Sequence, residues 1–135
     1  GTTMVVVMLE GVSINGTSAH FLQLGDADGI ENTGYSSVSM LSQNAGTPGV
    51  TAATTAFNID TSGIASRVVN GAMILTLKDS TNFTWTLQSS LQRDDVATTL
   101  VCSGTKTLSA VLTQLRITSA SADTFDAGSI NIAYF

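Results

Sequence analysis

The sequence predicts an all-β fold: an antiparallel two-sheet sandwich, jelly-roll-like, of about eight to ten short strands. Three observations predict it. Apolar residues recur with a period of two along most of the chain, helical spacing is not sustained in any window, and clusters of Gly, Asn, Asp and Ser separate the alternating runs. The chain of 135 residues has the length of one domain, so we expect residues 1–135 to form a single β-sandwich domain.

Alternating runs mark the strand candidates in order along the chain. In the clearest run Phe83, Trp85 and Leu87 alternate with threonines, which indicates a half-buried strand and places Trp85 in the core. Threonine is frequent in these runs because its β-branched, polar-tipped side chain suits the solvent side of a sheet. The predicted strands are residues 4–9, 20–24, 35–41, 56–59, 67–77, 83–87, 98–102, 111–118 and 130–134.

Turn residues join these runs. We predict hairpin turns at residues 78–82 and 103–106, where polar and glycine residues interrupt the alternation. Two longer segments do not fit a short turn: residues 25–34 are acidic and punctuated by glycine, and residues 42–55 contain the only proline and no charge. Loops longer than about 12 residues are uncommon in compact domains and are often functional.

The net charge and the length of the apolar runs argue against two kinds of partner. Charged residues make up 11% of the chain, whereas a soluble domain usually contains about 25%. Five basic residues against ten acidic ones give a net charge of −5, so we expect no nucleic-acid partner, because phosphate binding needs the opposite field. The longest apolar run, residues 4–9, is far shorter than the roughly 18 residues of a membrane-spanning helix, so we expect no membrane partner.

Residues that support catalysis are sparse. His20 is the only histidine and has no neighbouring motif, and Cys102 is the only cysteine and lies inside an apolar strand. We interpret Cys102 as a small buried hydrophobe, and the single cysteine excludes an intramolecular disulfide. The acidic residues at 94–95 and 123–126 are interpreted as charged turns, since neighbouring strand residues point to opposite faces and make a poor acid–base pair. We therefore predict that the protein is not an enzyme and has no cofactor.

One acidic segment could hold a metal ion. Asp26, Asp28 and Glu31 place three carboxylates within six residues, and Ca²⁺ binds clustered oxygen ligands. Their spacing does not match an EF-hand loop. We favour a solvated turn in which aspartate side chains bond nearby amides, and keep a structural Ca²⁺ site as the alternative.

The uncharged segment is our candidate for an interaction loop. A small domain with few charges cannot easily cover its surface with polar groups, so we expect part of that surface to be buried against other chains. The expected partners are copies of the protein itself, as a homo-oligomer with a trimer as one option, and a larger assembly. The candidate contact residues are Gln43, Asn44, Thr47, Pro48, Val50 and Thr51.

Several segments resemble small structural proteins of tailed bacteriophages. These segments are residues 24–26, 67–71, 82–85, 103–109, 115–118 and 123–132. The resemblance covers the chain from about Arg67 onward and consists of sheet and turn residues without a catalytic signature. The chain departs from the family pattern at Phe135, where an acidic residue is common. The resemblance implies a jelly-roll-like protein on the virion surface, assembled in the host bacterial cytoplasm, that decorates the capsid or belongs to the tail.

Two functions follow from this resemblance. The leading hypothesis is a capsid decoration, or cement, protein that bridges subunits of the major capsid protein, and it predicts that deleting residues 43–54 leaves a folded domain that no longer binds capsids. The alternative is a tail-fibre or receptor-binding domain that recognises a bacterial surface glycan, which expects an exposed aromatic or Asx-rich loop around residues 26–35. A depolymerase is disfavoured because the chain has one histidine and no recognisable carboxylate pair.

Overall fold

The structure, a computed structural model, describes residues 1–135 as antiparallel β-strands with no α-helix. The prediction of an all-β, antiparallel two-sheet sandwich is confirmed. The chain therefore contains no helix that is long and apolar enough to cross a membrane. The strands number eleven: β1 Met4–Ile14, β2 His20–Asp26, β3 Gly29–Ile30, β4 Tyr35–Gln43, β5 Gly49–Ala53, β6 Phe57–Asp60, β7 Val69–Asp79, β8 Thr84–Arg93, β9 Thr98–Thr107, β10 Gln114–Ser119 and β11 Phe125–Tyr134.

The two sheets differ in size. The large sheet has seven strands in the order β11-β1-β7-β8-β9-β4-β5, and the small sheet has four, β10-β2-β3 with β6 also paired to β2. Strand β1 lies between β11 and β7 of its own sheet. The large sheet consequently ends in two free edges, at β11 and at β5.

The core lies between the two sheets. Strand alternation directs Val7 and Met73 inward as cross-strand partners in the large sheet, and Leu22 and Phe57 face them from the small sheet. Trp85 is 2% exposed, which confirms its predicted place in the core. Burial of these side chains is the main stabilising term, at about 25 cal/mol per Å² of apolar surface removed from water.

The predicted turn at residues 103–106 is wrong, because this segment lies inside β9. Gly104 serves close packing and not a turn. A Cβ at Gly104 would lie 2.9 Å from Cε1 of Phe57 and 2.4 Å from the carbonyl oxygen of Ser36. Glycine therefore lets the small sheet approach the large one at this point.

The predicted loop at residues 42–55 is also wrong in its extent. Its second half forms β5, which pairs with β4 from Ser37–Ala53 to Leu41–Gly49. Pairing satisfies backbone groups that would otherwise stand unpaired at the edge of β4, and the β-branched Val50 and Thr51 suit an extended strand. Residues 44–48 remain as the turn between β4 and β5, and Thr54 and Thr55 lie outside the strands, between β5 and β6.

The other boundaries follow local hydrogen bonding. The hairpin turn predicted at residues 78–82 is confirmed, because Asp79 ends β7 and its carboxylate accepts hydrogen bonds from the amides of Thr81 and Asn82. The acidic segment is shorter than predicted, since β2 reaches Asp26 and β3 starts at Gly29. The predicted strands at 67–77 and 111–118 begin later than expected, at Val69 and Gln114.

The core position of Trp85 gives a stability prediction. Trp85→Ala is expected to lower the free energy of unfolding by about 3–5 kcal/mol, because it removes a fully buried ring and leaves a cavity. Val111→Ala is the control, since Val111 is 63% exposed and its truncation should cost less than about 0.5 kcal/mol. Urea denaturation followed by circular dichroism measures both. A Trp85→Ala cost as small as that of Val111→Ala would contradict the core assignment.

Candidate functional site

The largest uncovered surface is the side of the large sheet that faces away from the small sheet, which we call the outer face. Its residues alternate along each strand with the residues of the core. None of its central side chains is charged. They are Val6, Met8, Ala72, Ile74, Thr76, Thr86, Gln88, Ser90, Val101, Ser103, Thr105, Ser36, Val38, Met40, Val50, Ala52, Asn131 and Ala133.

Apolar residues on the outer face form rows across the strands. One row runs through Met8, Ala72, Ser90, Val101, Met40 and Val50. Each of these residues pairs with the next one on the neighbouring strand. Val38 is 50% exposed and Val50 is 68% exposed, so water reaches apolar groups that no part of the chain covers. An exposed apolar surface without charges is typical of a contact region between proteins.

The residues predicted as an interaction loop lie at one end of this face. Asn44, Thr47 and Pro48 are exposed in the β4–β5 turn, which is held by a 2.9 Å hydrogen bond from the Asn44 amide to the carbonyl of Ala97. Gln43 ends β4. Val50 and Thr51 lie in β5.

Strand alternation separates these last two residues. Val50 pairs with Met40 and belongs to the outer face, whereas Thr51 pairs with the buried Ser39 and lies beside Asn58 on the inner side. The structure therefore places Val50 on the outer face, which extends over all the strands of the large sheet. The segment does not project as a free arm.

Two of the three carboxylates considered for calcium engage separate partners. Asp26 is buried, and its Oδ1 accepts a 2.9 Å hydrogen bond from the amide of Asp28, as the turn interpretation predicts. The carboxylate of Glu31 instead accepts hydrogen bonds from the Lys106 ammonium and the Ser109 amide. No group of three or more His, Cys, Asp or Glu side chains is placed to hold a metal ion. The calcium site stays a prediction without support from this geometry.

Lys106 and Glu31 link the two sheets at one end of the core. Lys106 is buried in the large sheet, and its Nζ lies 5.3 Å from the centroid of the Tyr35 ring. Tyr35 is only 3% exposed; its hydroxyl donates to the carbonyl of Glu31 at 2.8 Å and accepts from the amide of Leu24. Burial raises the pKa of Tyr35 to about 12. Tyr35 is therefore a structural residue and is not available to stack on a sugar.

An ion pair that the sequence analysis missed lies at the opposite end. Arg93 of β8 and Asp60 of β6 are fully buried, and Arg93 Nε donates to Asp60 Oδ2 at 2.9 Å. Arg67 lies 3.9 Å from the same carboxylate oxygen and donates to Asp95 at 2.8 Å. Arg93 shares the inward parity of Trp85 and Leu91 along β8, which is the sequence signal for its burial.

His20 and Cys102 are both buried away from any catalytic arrangement. The two ring nitrogens of His20 have no hydrogen-bond partner, its ring meets Phe125 edge-on, and burial lowers its pKa. The Cys102 thiol lies 3.3 Å from the Ser37 hydroxyl, and burial raises its pKa. The predicted burial of Cys102 is confirmed.

The comparisons with known proteins add no name to this surface. No model of a known protein family matches the chain, and no curated protein sequence and no solved structure matches it either.

The buried histidine predicts a pH dependence. The unfolded chain titrates His20 near the ordinary pKa of 6.5, whereas burial lowers the folded pKa. As the pH falls through the ordinary pKa of 6.5, the unfolded state binds more protons than the folded state. The free energy of unfolding should therefore decrease as the pH falls from about 7 to 5. Denaturation at several pH values measures the free energy of unfolding. His20→Asn should remove its decrease between about pH 7 and 5. An equal decline in the variant would contradict the assignment.

Proposed function

We propose that the protein is a non-enzymatic structural protein of a tailed-phage virion, and specifically a capsid decoration (cement) protein that attaches through its outer face. Its partners are the major capsid protein and further copies of itself at the virion surface. The observation that carries the proposal is the outer face of the large sheet, whose central side chains carry no charge and which no other part of the chain covers; Glu10 and Lys78 lie at its margins.

The size and chemistry of this face suit a protein contact. Seven strands spaced by about 4.8 Å give a face about 30 Å across, which is wide enough for a standard interface of about 800 Å² per partner. Burying threonine, serine and short apolar side chains costs little desolvation energy compared with burying charges. A cement protein needs this property, since it stabilises a shell by adding buried interface and performs no chemistry.

The absence of a catalytic arrangement supports a structural role. The single histidine has no hydrogen-bond partner, and the single thiol has a raised pKa that disfavours the reactive thiolate. The buried carboxylate of Asp60 is neutralised by Arg93 in an ion pair that links the sheets.

The segments that resemble phage structural proteins lie largely in the large sheet. Residues 67–71, 82–85 and 103–109 fall in or beside β7, β8 and β9, which are its central strands, and 123–132 falls in β11. The segments therefore reach four of the seven strands that form the outer face, overlapping the ends of β7, β8 and β9 and most of β11.

A hollow in the outer face supports the alternative, a tail-fibre domain that binds a bacterial surface glycan. Hydroxyl and amide groups line it, and they can exchange hydrogen bonds with sugar hydroxyls. The lining residues include Ser36, Thr76, Thr86, Gln88, Ser103 and Thr105. The buried Trp85 and Tyr35 offer no stacking surface, so this function has less support.

Copy number separates the two functions. In virions of the phage that encodes the chain, quantitative mass spectrometry should count hundreds of copies for a capsid decoration protein. A few to a few dozen copies would move the protein to the tail, where a glycan array is the next test. Its absence from purified particles would overturn the virion assignment.

Charge on the outer face should block attachment. Val38→Lys and Val50→Lys each place an ammonium group among uncharged side chains, and we expect capsid binding to weaken about tenfold or more, because a buried unpaired charge is costly. Val111→Lys is the matched control: its valine is similarly exposed, at 63% against 68% for Val50, but it lies outside this face. Sedimentation of protein with capsids that lack it measures binding. Equal binding by all three variants would contradict the proposed surface.

These substitutions are a sharper test than the deletion of residues 43–54. The deletion removes all of β5 and with it the strand that covers the edge of β4. A loss of binding after the deletion would therefore not distinguish a missing contact from a newly exposed edge.

A further inference from the structure

Strand β11 forms a long, unprotected edge of the large sheet. It pairs only with β1, and its other side has no strand beside it. From Ser129 to Tyr134 it runs without a register shift, contains no proline and carries no charge. Natural sheets usually protect such edges with charges, prolines or bulges, because an open edge pairs readily with another chain.

The hydrogen bonds to β1 show which backbone groups are free. The Phe135 amide donates to the Met4 carbonyl at 2.9 Å, and the Met4 amide donates to the Phe135 carbonyl at 3.2 Å. Hydrogen-bonded pairs alternate along two antiparallel strands, so the N–H and C=O groups of Asn131 and Ala133 also point toward β1. The N–H and C=O groups of Ile130, Ile132 and Tyr134 therefore point away from the sheet and have no strand to bond.

The side chains of these three residues are exposed as well. They point toward the inner side of the large sheet, because they pair with Leu9, Val7 and Val5 of the core. The small sheet leaves them partly open, although Gln114 and Leu115 of β10 line one hollow together with Ile132 and Tyr134. Ile130 is 41% exposed, Ile132 is 44% and Tyr134 is 72%. The edge thus presents an apolar row and unpaired backbone groups together.

We propose that β11 pairs with β11 of a second copy of this chain, antiparallel about a twofold axis at Ile132, to form one continuous sheet from two large sheets. In this register Ile132 lies opposite Ile132 of the second copy, and Ile130 lies opposite Tyr134 of the second copy. Every outward-facing N–H and C=O of these residues then gains a partner.

The same register is compatible with the remaining side chains. On the outer side Asn131 lies opposite Ala133, and Ser129 opposite Phe135, so no charges meet across the axis. Asp126 lies outside the paired segment. A register shift between β1 and β11 in the region of Gly128, which adopts a φ of 92°, ends the regular edge before that aspartate. A second copy is therefore a self-complementary occupant of this edge.

Charge-reversed variants at the axis test the pairing. Sedimentation velocity over a range of concentrations should show wild-type protein approaching twice the 13.9 kDa of one chain. Ile132→Lys and Ile132→Glu should each weaken self-association about tenfold or more, because each places like charges directly opposite one another. An equimolar mixture of the two variants should restore the dimer, since lysine then faces glutamate across the axis.

Ile64→Lys is the matched control, because Ile64 is 45% exposed and lies outside β11; it should dimerise like the wild type. A monomeric wild type would overturn the proposal and leave the edge to a strand of another protein. Dimerisation by either Ile132 variant alone, or no recovery in the mixture, would also overturn it. The result is independent of the proposed function, because purified protein is measured without capsids.

Discussion

The two sheets differ in size, and this difference decides which surfaces of the protein are buried and which stay open. Four strands cover one side of a seven-stranded sheet, so most of the apolar inner side is buried, while the outer face and the β11 edge with Ile130, Ile132 and Tyr134 stay open. An ion pair links the sheets at each end of the core: Arg93 with Asp60 at one, and Lys106 with Glu31 at the other. A buried ion pair contributes little net stability, but removing one partner leaves a costly charge behind. The fully buried Arg93–Asp60 pair therefore fixes how the sheets align, whereas the Glu31 side chain of the other pair is 22% exposed.

This constraint explains the unusual composition. A protein that exposed all of its outer face to water would be expected to carry more lysine and glutamate there. The chain instead uses threonine, serine and glutamine among valine and methionine. Threonine and valine favour strand formation, and all five can be desolvated at lower cost than charged residues. The same choice continues along β11, where the regular part of the edge carries no charge.

The sequence predicted the fold class well, because period-two alternation reports directly on sheet structure. That alternation placed Trp85 in the core, and the position of Cys102 inside an apolar strand predicted its burial. Glycine was the main source of error: Gly104 looks like a turn residue, but packs against Phe57 within a strand, and such close packing has no local signature. The partner of Arg93 could not be predicted either, since Asp60 is 33 residues away and meets it only when the sheets stack. The outer face became a candidate site only after strand order was known, because its rows combine residues from every strand of the large sheet.

The most direct test of the central claim, that the outer face is a contact surface, is methionine oxidation in free and particle-bound protein. Met4, Met8 and Met40 lie on the outer side of the large sheet, whereas Met73 lies in the core and serves as an internal standard. Limited peroxide treatment followed by mass spectrometry reports the oxidation rate of each methionine. If the outer face is the contact surface, Met40 oxidises readily in the free protein and is protected on the particle, whereas Met73 oxidises slowly in both states. Equal oxidation of Met40 in the two states would contradict it.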